Sequence, residues 1–158
     1  MRRFVFDEWV WADLNGENTE DAQRETFQLL QRVFKKCDQL VTVDKSPFLR
    51  KYFNMASHVS TGDLRREIVK VFKAQFLTNS EKLYRLREGS LPDVPSELEQ
   101  KVKDDDKYLV HAYLAANADL LVTTDKPLMA VLNEYGIRCQ DRDTFISTYL
   151  KSDPTDER

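Results

Sequence analysis

Three aspartates of this 158-residue chain stand behind short apolar runs: Asp7 follows RFVF, Asp44 follows LVTV, and Asp125 comes two residues after LLVT. A second acidic group, Asp104, Asp105 and Asp106, opens a stretch in which Tyr108, Leu109, Ala112, Ala115 and Ala116 recur at offsets of three and four. That spacing predicts a helix with one apolar stripe facing a core. Asp105 falls on the same stripe, one turn before Leu109 and in line with Ala112 and Ala116, an odd place for an acid. Three carboxylates brought within ~4 Å repel by roughly 4 kcal/mol per pair at an effective dielectric near 20, and a cation resolves that conflict. Hard oxygen donors without His or Cys select Mg²⁺ or Mn²⁺. The plainer readings are that Asp7 and Asp125 form strand-end turns and that the triplet complements a helix dipole.

The elements that must position these acids alternate. Apolar runs predict strands at Arg3 to Phe6, Leu40 to Val43, Leu120 to Thr123 and Ile137 to Gln140. Helices are expected from Thr19, an N-cap residue, to Cys37, and after Ser46-Pro47. A long one runs from Gly62-Asp63 toward Arg87 with an interruption near Thr78-Asn79-Ser80, and others extend from Asp104 to Asn117, from Pro127 to Gly136, and through Phe145 to Leu150. Residues 89 to 103 read as an irregular loop. The alternation predicts an α/β fold, three layers (α/β/α) around a central parallel sheet of four or five strands, in one domain over residues 1–150 with a frayed tail over 151–158. Sites in such sheets form outside the carboxyl ends of the strands, so Asp7, Asp44 and Asp125 share an edge that Asp105 reaches from its helix.

Composition bounds the partners. Hydrophobic residues make up 41% and charged residues 32%, which is ordinary for a globular chain, and no apolar run approaches the ~18 residues of a membrane span. The start MRRFVFDEWVW carries acids where a signal peptide would stay apolar, so a cytoplasmic location is expected. Cys37 and Cys139 lack CxxC spacing and are expected as buried small hydrophobes, and Trp9 and Trp11 as core. The formal charge of −3 is a slight argument against binding nucleic acid by charge alone. Locally the balance reverses: Lys45 to Lys73 holds seven basic residues against two acidic ones. Arg66, Lys70 and Lys73 share a helix face, either a phosphate-contacting stripe or a solvated face with i,i+4 pairs.

With these residues in view the chain resembles the PIN domain family, whose fold serves many Mg²⁺-dependent ribonucleases and toxin nucleases. The resemblance covers nearly the whole chain and lies in FVFD, VTVDKSPFLRKY, DDDKYLVHAYLAANADLLVTTDKPL and YGIRCQDRDTFISTYL, of which the third is the most specific. It implies Asp7, Asp105 and Asp125 as catalytic metal-binding carboxylates, with Thr123 lining the site. Asp105 is preferred to Asp106 on the apolar residues that follow it at +3, +4 and +7, and Asp106 is its neighbouring alternative as a ligand. The implied activity is a Mg²⁺- or Mn²⁺-dependent endoribonuclease that hydrolyses phosphodiester bonds of single-stranded RNA, with Lys51, Arg66, Lys70 and Lys73 as RNA contacts. A homodimer and a protein inhibitor are further partners to consider, and no membrane. Two positions depart from the family pattern. Glu8 and Trp9 replace the usual small residue and Asn or Ser, and Lys51, preceded by Arg50, stands where an acid is expected. Either Asp44, Glu8 or Glu67 substitutes, or the domain is a degenerate RNA-binding or protein-interaction module.

Overall fold

A computed structural model describes residues 1–151. Five strands, β1 (Arg3–Phe6), β2 (Gln39–Val43), β3 (Leu83–Leu86), β4 (Leu120–Thr123) and β5 (Cys139–Asp141), form one sheet in the order β3-β2-β1-β4-β5. Every neighbouring pair is parallel. The architecture is the expected α/β one. The expected tail over 151–158 lies, apart from Lys151, outside the described residues.

Among the described residues, eight α-helices connect and cover the strands: α1 (Trp9–Leu14), α2 (Glu20–Lys35), α3 (Pro47–His58), α4 (Leu64–Phe72), α5 (Ser96–Lys101), α6 (Lys107–Ala115), α7 (Lys126–Glu134) and α8 (Arg142–Leu150). Their ends follow local chemistry. The Thr19 hydroxyl accepts from the Ala22 amide, and the Ser46 hydroxyl accepts from the Leu49 amide with Pro47 in the first turn. Asn117 takes a left-handed conformation (φ 50°) just after α6, and Gly136 does so after α7 (φ 74°). Strand side chains alternate between faces. Phe4 and Phe6 pack on Phe145 of α8 at ring distances of 5.1 and 5.6 Å, while α6 crosses β1, β2 and β4 on the opposite face.

Several elements differ from the sequence reading. The helix expected to run toward Arg87 ends in a π-helical turn at Lys73–Leu77, and Leu83–Leu86 is an edge strand. Its buried residues are Leu83 and Leu86, three apart, with Tyr84 and Arg85 exposed between them, so the strand carries a helix-like spacing. The short helices α1 and α5 go beyond the expected elements, and β5 begins two residues later than expected. Cys37 is exposed rather than buried, because α2 ends before it. Trp9 and Trp11 are core: Trp11 meets Phe48, Tyr52 and Phe72 at 5.4, 5.2 and 4.8 Å, which joins α1 to α3 and α4.

One buried ion pair fixes α1 against α2 and α8. Asp13, 2% exposed, lies 2.6 Å from Arg142 and also accepts from Thr26 and Asn18. Removing one member of a buried pair strands the other charge. Arg142→Ala is therefore expected to lower the unfolding free energy by about 3 to 5 kcal/mol in urea unfolding, where a loss below about 1 kcal/mol would show that Asp13 is satisfied without it.

Candidate metal centre

The strand order changes direction at β1, because the chain moves from β1 outward to β2 on one side and returns to β4 on the other. A crevice opens at such a switch point, outside the carboxyl ends of the strands. Asp7 stands there, one residue beyond β1, and its amide extends the β1–β4 ladder by donating to the Val122 carbonyl at 3.2 Å. The Trp9 indole N–H donates to the same carbonyl at 2.9 Å, which docks the start of α1 on the end of β4. Glu8 is thereby held between two anchored residues.

The Asp7 carboxylate is buried and tightly held. One oxygen accepts from the Glu8 amide at 2.6 Å and the other from the Thr123 hydroxyl at 2.7 Å. The Thr123 oxygen in turn accepts from the Asp125 amide at 3.1 Å. Asp125 caps α7 by accepting from the Leu128 amide at 3.0 Å, so its turn-forming role is real, and among the described residues its second oxygen has no hydrogen-bond donor.

Asp7, Glu8 and Asp106 each offer a carboxylate oxygen within 4.8 Å of the others. The structure therefore brings Asp106 into the group. Asp105 is exposed and stands outside it. Residues 104–106 form a 3₁₀ turn and α6 starts only at Lys107, so the α-helical spacing that put Asp105 in line with Leu109 does not extend back to it. Of the three acids that could substitute at the position of Lys51, Glu8 is the one in the group. Asp44 pairs with Arg85 at 2.8 Å, and Glu67 pairs with Lys70 and lines a groove of about 470 Å³ between α2 and α4. The signal for Glu8 is an acid directly behind a strand-end acid at the entry to a helix.

Burial and crowding are legible in the acids themselves. Burial pushes the Asp7 carboxyl up and the Asp125 charge adds to this, while the Thr123 hydrogen bond and the Lys51 ammonium pull it down. Asp106 is pushed up to about 6, first by burial and then by Asp7 and Asp125. Asp125 thus acts on both carboxyls although it lies outside the 4.8 Å group. Tyr108 follows on α6 with its hydroxyl buried and, among the described residues, without a hydrogen-bond partner. Burial, then Asp7 and Asp106, lift its pKa well above the ordinary value, so it stays protonated.

The donor set suits a hard divalent cation: all ligand atoms are oxygen, and both Asp7 and Asp106 carry a penalty that a cation would relieve. The basic residues divide. Lys51, exposed on α3, acts on Asp7. Arg66 donates to Thr61 at 2.7 Å, Lys70 pairs with Glu67 at 3.6 Å, and Lys73 is exposed at the end of α4. Arg66, Lys70 and Lys73 lie on a separate helix from Lys51.

No family model matches the chain, and no curated protein does. Among solved structures, a chain of the crystal structure of VapBC2 from Rickettsia felis bound to a DNA fragment from their promoter is similar, with a TM-score of 0.53 and 14% identity. The match covers 88% of this chain and 98% of that one. At this identity the likeness is one of fold, and the fold is PIN-like.

The Asp106 carboxyl links site to stability. In the folded chain it keeps its proton up to about pH 6, whereas the unfolded group releases it near 3.8, so the folded state binds more protons between these values. This contribution is complete below about pH 4 and is lost as pH rises through 6. In metal-free protein the loss should be on the order of 1 kcal/mol, because the half-exposed group is screened by water, and Asp106→Asn should flatten that slope in urea midpoints taken from pH 4 to 7.

Proposed function

We propose that this chain is a divalent-cation-dependent endoribonuclease that hydrolyses phosphodiester bonds of single-stranded RNA. The observation that carries the reading is the convergence of Asp7, Glu8 and Asp106 at the switch point of a PIN-like sheet. In this proposal those three carboxylates hold Mg²⁺ or Mn²⁺, with Asp125 adding charge from the N-cap of α7. Thr123 keeps the Asp7 carboxylate oriented, and Lys51 attracts the RNA phosphate from the α3 side. When bound, the cation would supply a water activated at neutral pH and stabilise the negative charge that develops on the phosphoryl oxygens. The residues of the chain bind, orient and crowd, and the two histidines are not needed as bases. His58 and His111 instead lie beside the backbone carbonyls of Asn54 and Pro92.

A second reading has its own observation. The Lys51 ammonium acts on Asp7, which supplies internally part of the positive charge that a cation would bring. A degenerate module that binds RNA or a protein without cleaving it would keep that arrangement. The similar structure is of VapBC2 with promoter DNA, which supports a protein inhibitor among the proposed partners. No helix of the described residues is long and apolar enough to cross a membrane, and a cytoplasmic location is part of the proposal.

Mn²⁺ titration of the purified chain, with cleavage of a single-stranded RNA followed in parallel, separates the readings. Asp7→Asn and Asp106→Asn should each weaken Mn²⁺ binding by about tenfold or more and remove metal-dependent cleavage, with Asp105→Asn close to wild type. Weak or absent Mn²⁺ binding together with no cleavage supports the degenerate module, and loss of binding in Asp105→Asn alone would return the ligand role to that residue. The basic stripe has a separate signature. If Arg66, Lys70 and Lys73 touch RNA phosphates, the triple alanine variant should reduce the slope of log K against log salt by about 0.7 for each phosphate no longer neutralised, and an unchanged slope makes the stripe a solvated face.

A further inference from the structure

One polar atom beside the acidic crevice has no partner among the described residues. Tyr108 is 8% exposed, in the first turn of α6 and two residues beyond Asp106, and its hydroxyl is buried with no hydrogen bond. The charges that act on it are Asp7, Asp106 and Arg50. Buried hydroxyls in folded proteins nearly always find a partner, because taking one out of water without replacing its hydrogen bonds is costly. Phenylalanine would fill the same volume between α6 and the sheet without that cost. The other tyrosine of this helix makes the contrast: the Tyr113 hydroxyl accepts from the Arg138 amide at 3.3 Å and so has a partner within the fold.

A phenol differs from the carboxylates around it in what it can exchange. Asp7, Glu8 and Asp106 offer only acceptors when ionised, whereas a hydroxyl accepts and donates at once. Small hard cations dehydrate reluctantly and keep several waters, each of which carries hydrogens that need acceptors. We propose that Tyr108 is a positioning residue of the acidic site, its hydroxyl oxygen accepting a hydrogen bond from a water in the hydration shell of a divalent cation held by Asp7, Glu8 and Asp106. This role rests on the cation-dependent reading and gives the orphaned atom its partner. The hydroxyl orients the hydrated ion and does not ligate it, and Arg50 keeps the surroundings of the phenol from being purely anionic.

Groups that hold a metal's ligands in place commonly contribute roughly 10- to 100-fold to its affinity. Mn²⁺ titrations followed by electron paramagnetic resonance on wild type, Tyr108→Phe and Tyr113→Phe test the role, with urea unfolding of the metal-free proteins alongside. Tyr108→Phe should raise the Mn²⁺ dissociation constant about tenfold or more while its metal-free stability equals or exceeds that of wild type. Tyr113→Phe should leave Mn²⁺ affinity unchanged. An unchanged dissociation constant in Tyr108→Phe overturns the proposal, as does a loss of metal-free stability, since the hydroxyl would then already have a structural partner. A wild-type protein that binds no Mn²⁺ overturns this role and the cation-dependent reading together. Binding by wild type with an indifferent Tyr108→Phe overturns this role alone.

Discussion

Like charges held close together in a half-buried crevice are the constraint on which the rest of this structure depends. Asp7, Glu8 and Asp106 stand within 4.8 Å, and Asp125 acts on two of them. At ~4 Å and an effective dielectric near 20, each ionised pair costs about 4 kcal/mol, a large share of the stability of an ordinary domain. The scaffold must therefore resist the relaxation that would let the carboxylates separate. It does so with neutral donors as well as charge. The Val122 carbonyl takes both the Asp7 amide and the Trp9 indole, Thr123 holds the far oxygen of Asp7, and α1 is tied to α2 and α8 through Asp13 and Arg142. Each contact removes a direction in which an acid could retreat.

The same logic explains how the aromatic core is arranged. α1 is only six residues long and lacks a side-chain cap, so it has little stability of its own. Its position comes from Trp9 against Phe6 and from Trp11 among Phe48, Tyr52 and Phe72. Two large side chains thus set the entry angle of the helix whose first turn follows Glu8. The packing of α3 and α4 is connected to the acids through those rings.

Much of this is legible in the sequence, and what is not has physical reasons. The runs before Asp7 and Asp125 are apolar, short and bounded by polar residues, so β1, β4 and their carboxyl ends can be read directly, together with the parallel sheet. β3 cannot, since an edge strand that buries Leu83 and Leu86 presents the spacing of a helix. The choice between Asp105 and Asp106 turns on whether α-helical rise begins at the first acid. A single 3₁₀ turn, with its three residues per turn, is enough to move the inward position by one. Glu8 reads from sequence only as a substitute, because adjacent residues on an extended chain point apart. The chain leaves β1 at Asp7 and turns helical at once, which swings the two carboxylates together.

The hydrogen bond between Thr123 and Asp7 joins residues 116 positions apart in sequence. On a ribosome the first acids emerge early, while β4 and the N-terminus of α7 are still unmade. At synthesis rates of about 5 to 20 residues per second, roughly 6 to 24 seconds pass before the second half of the crevice exists, and the exit tunnel delays it further. A parallel sheet whose central strand must wait for a distant neighbour also folds late by its topology. The acidic group is thus incomplete for as long as the segment between Asp7 and Thr123 is being made. The order in which the polypeptide is made therefore decides when its carboxylates first meet.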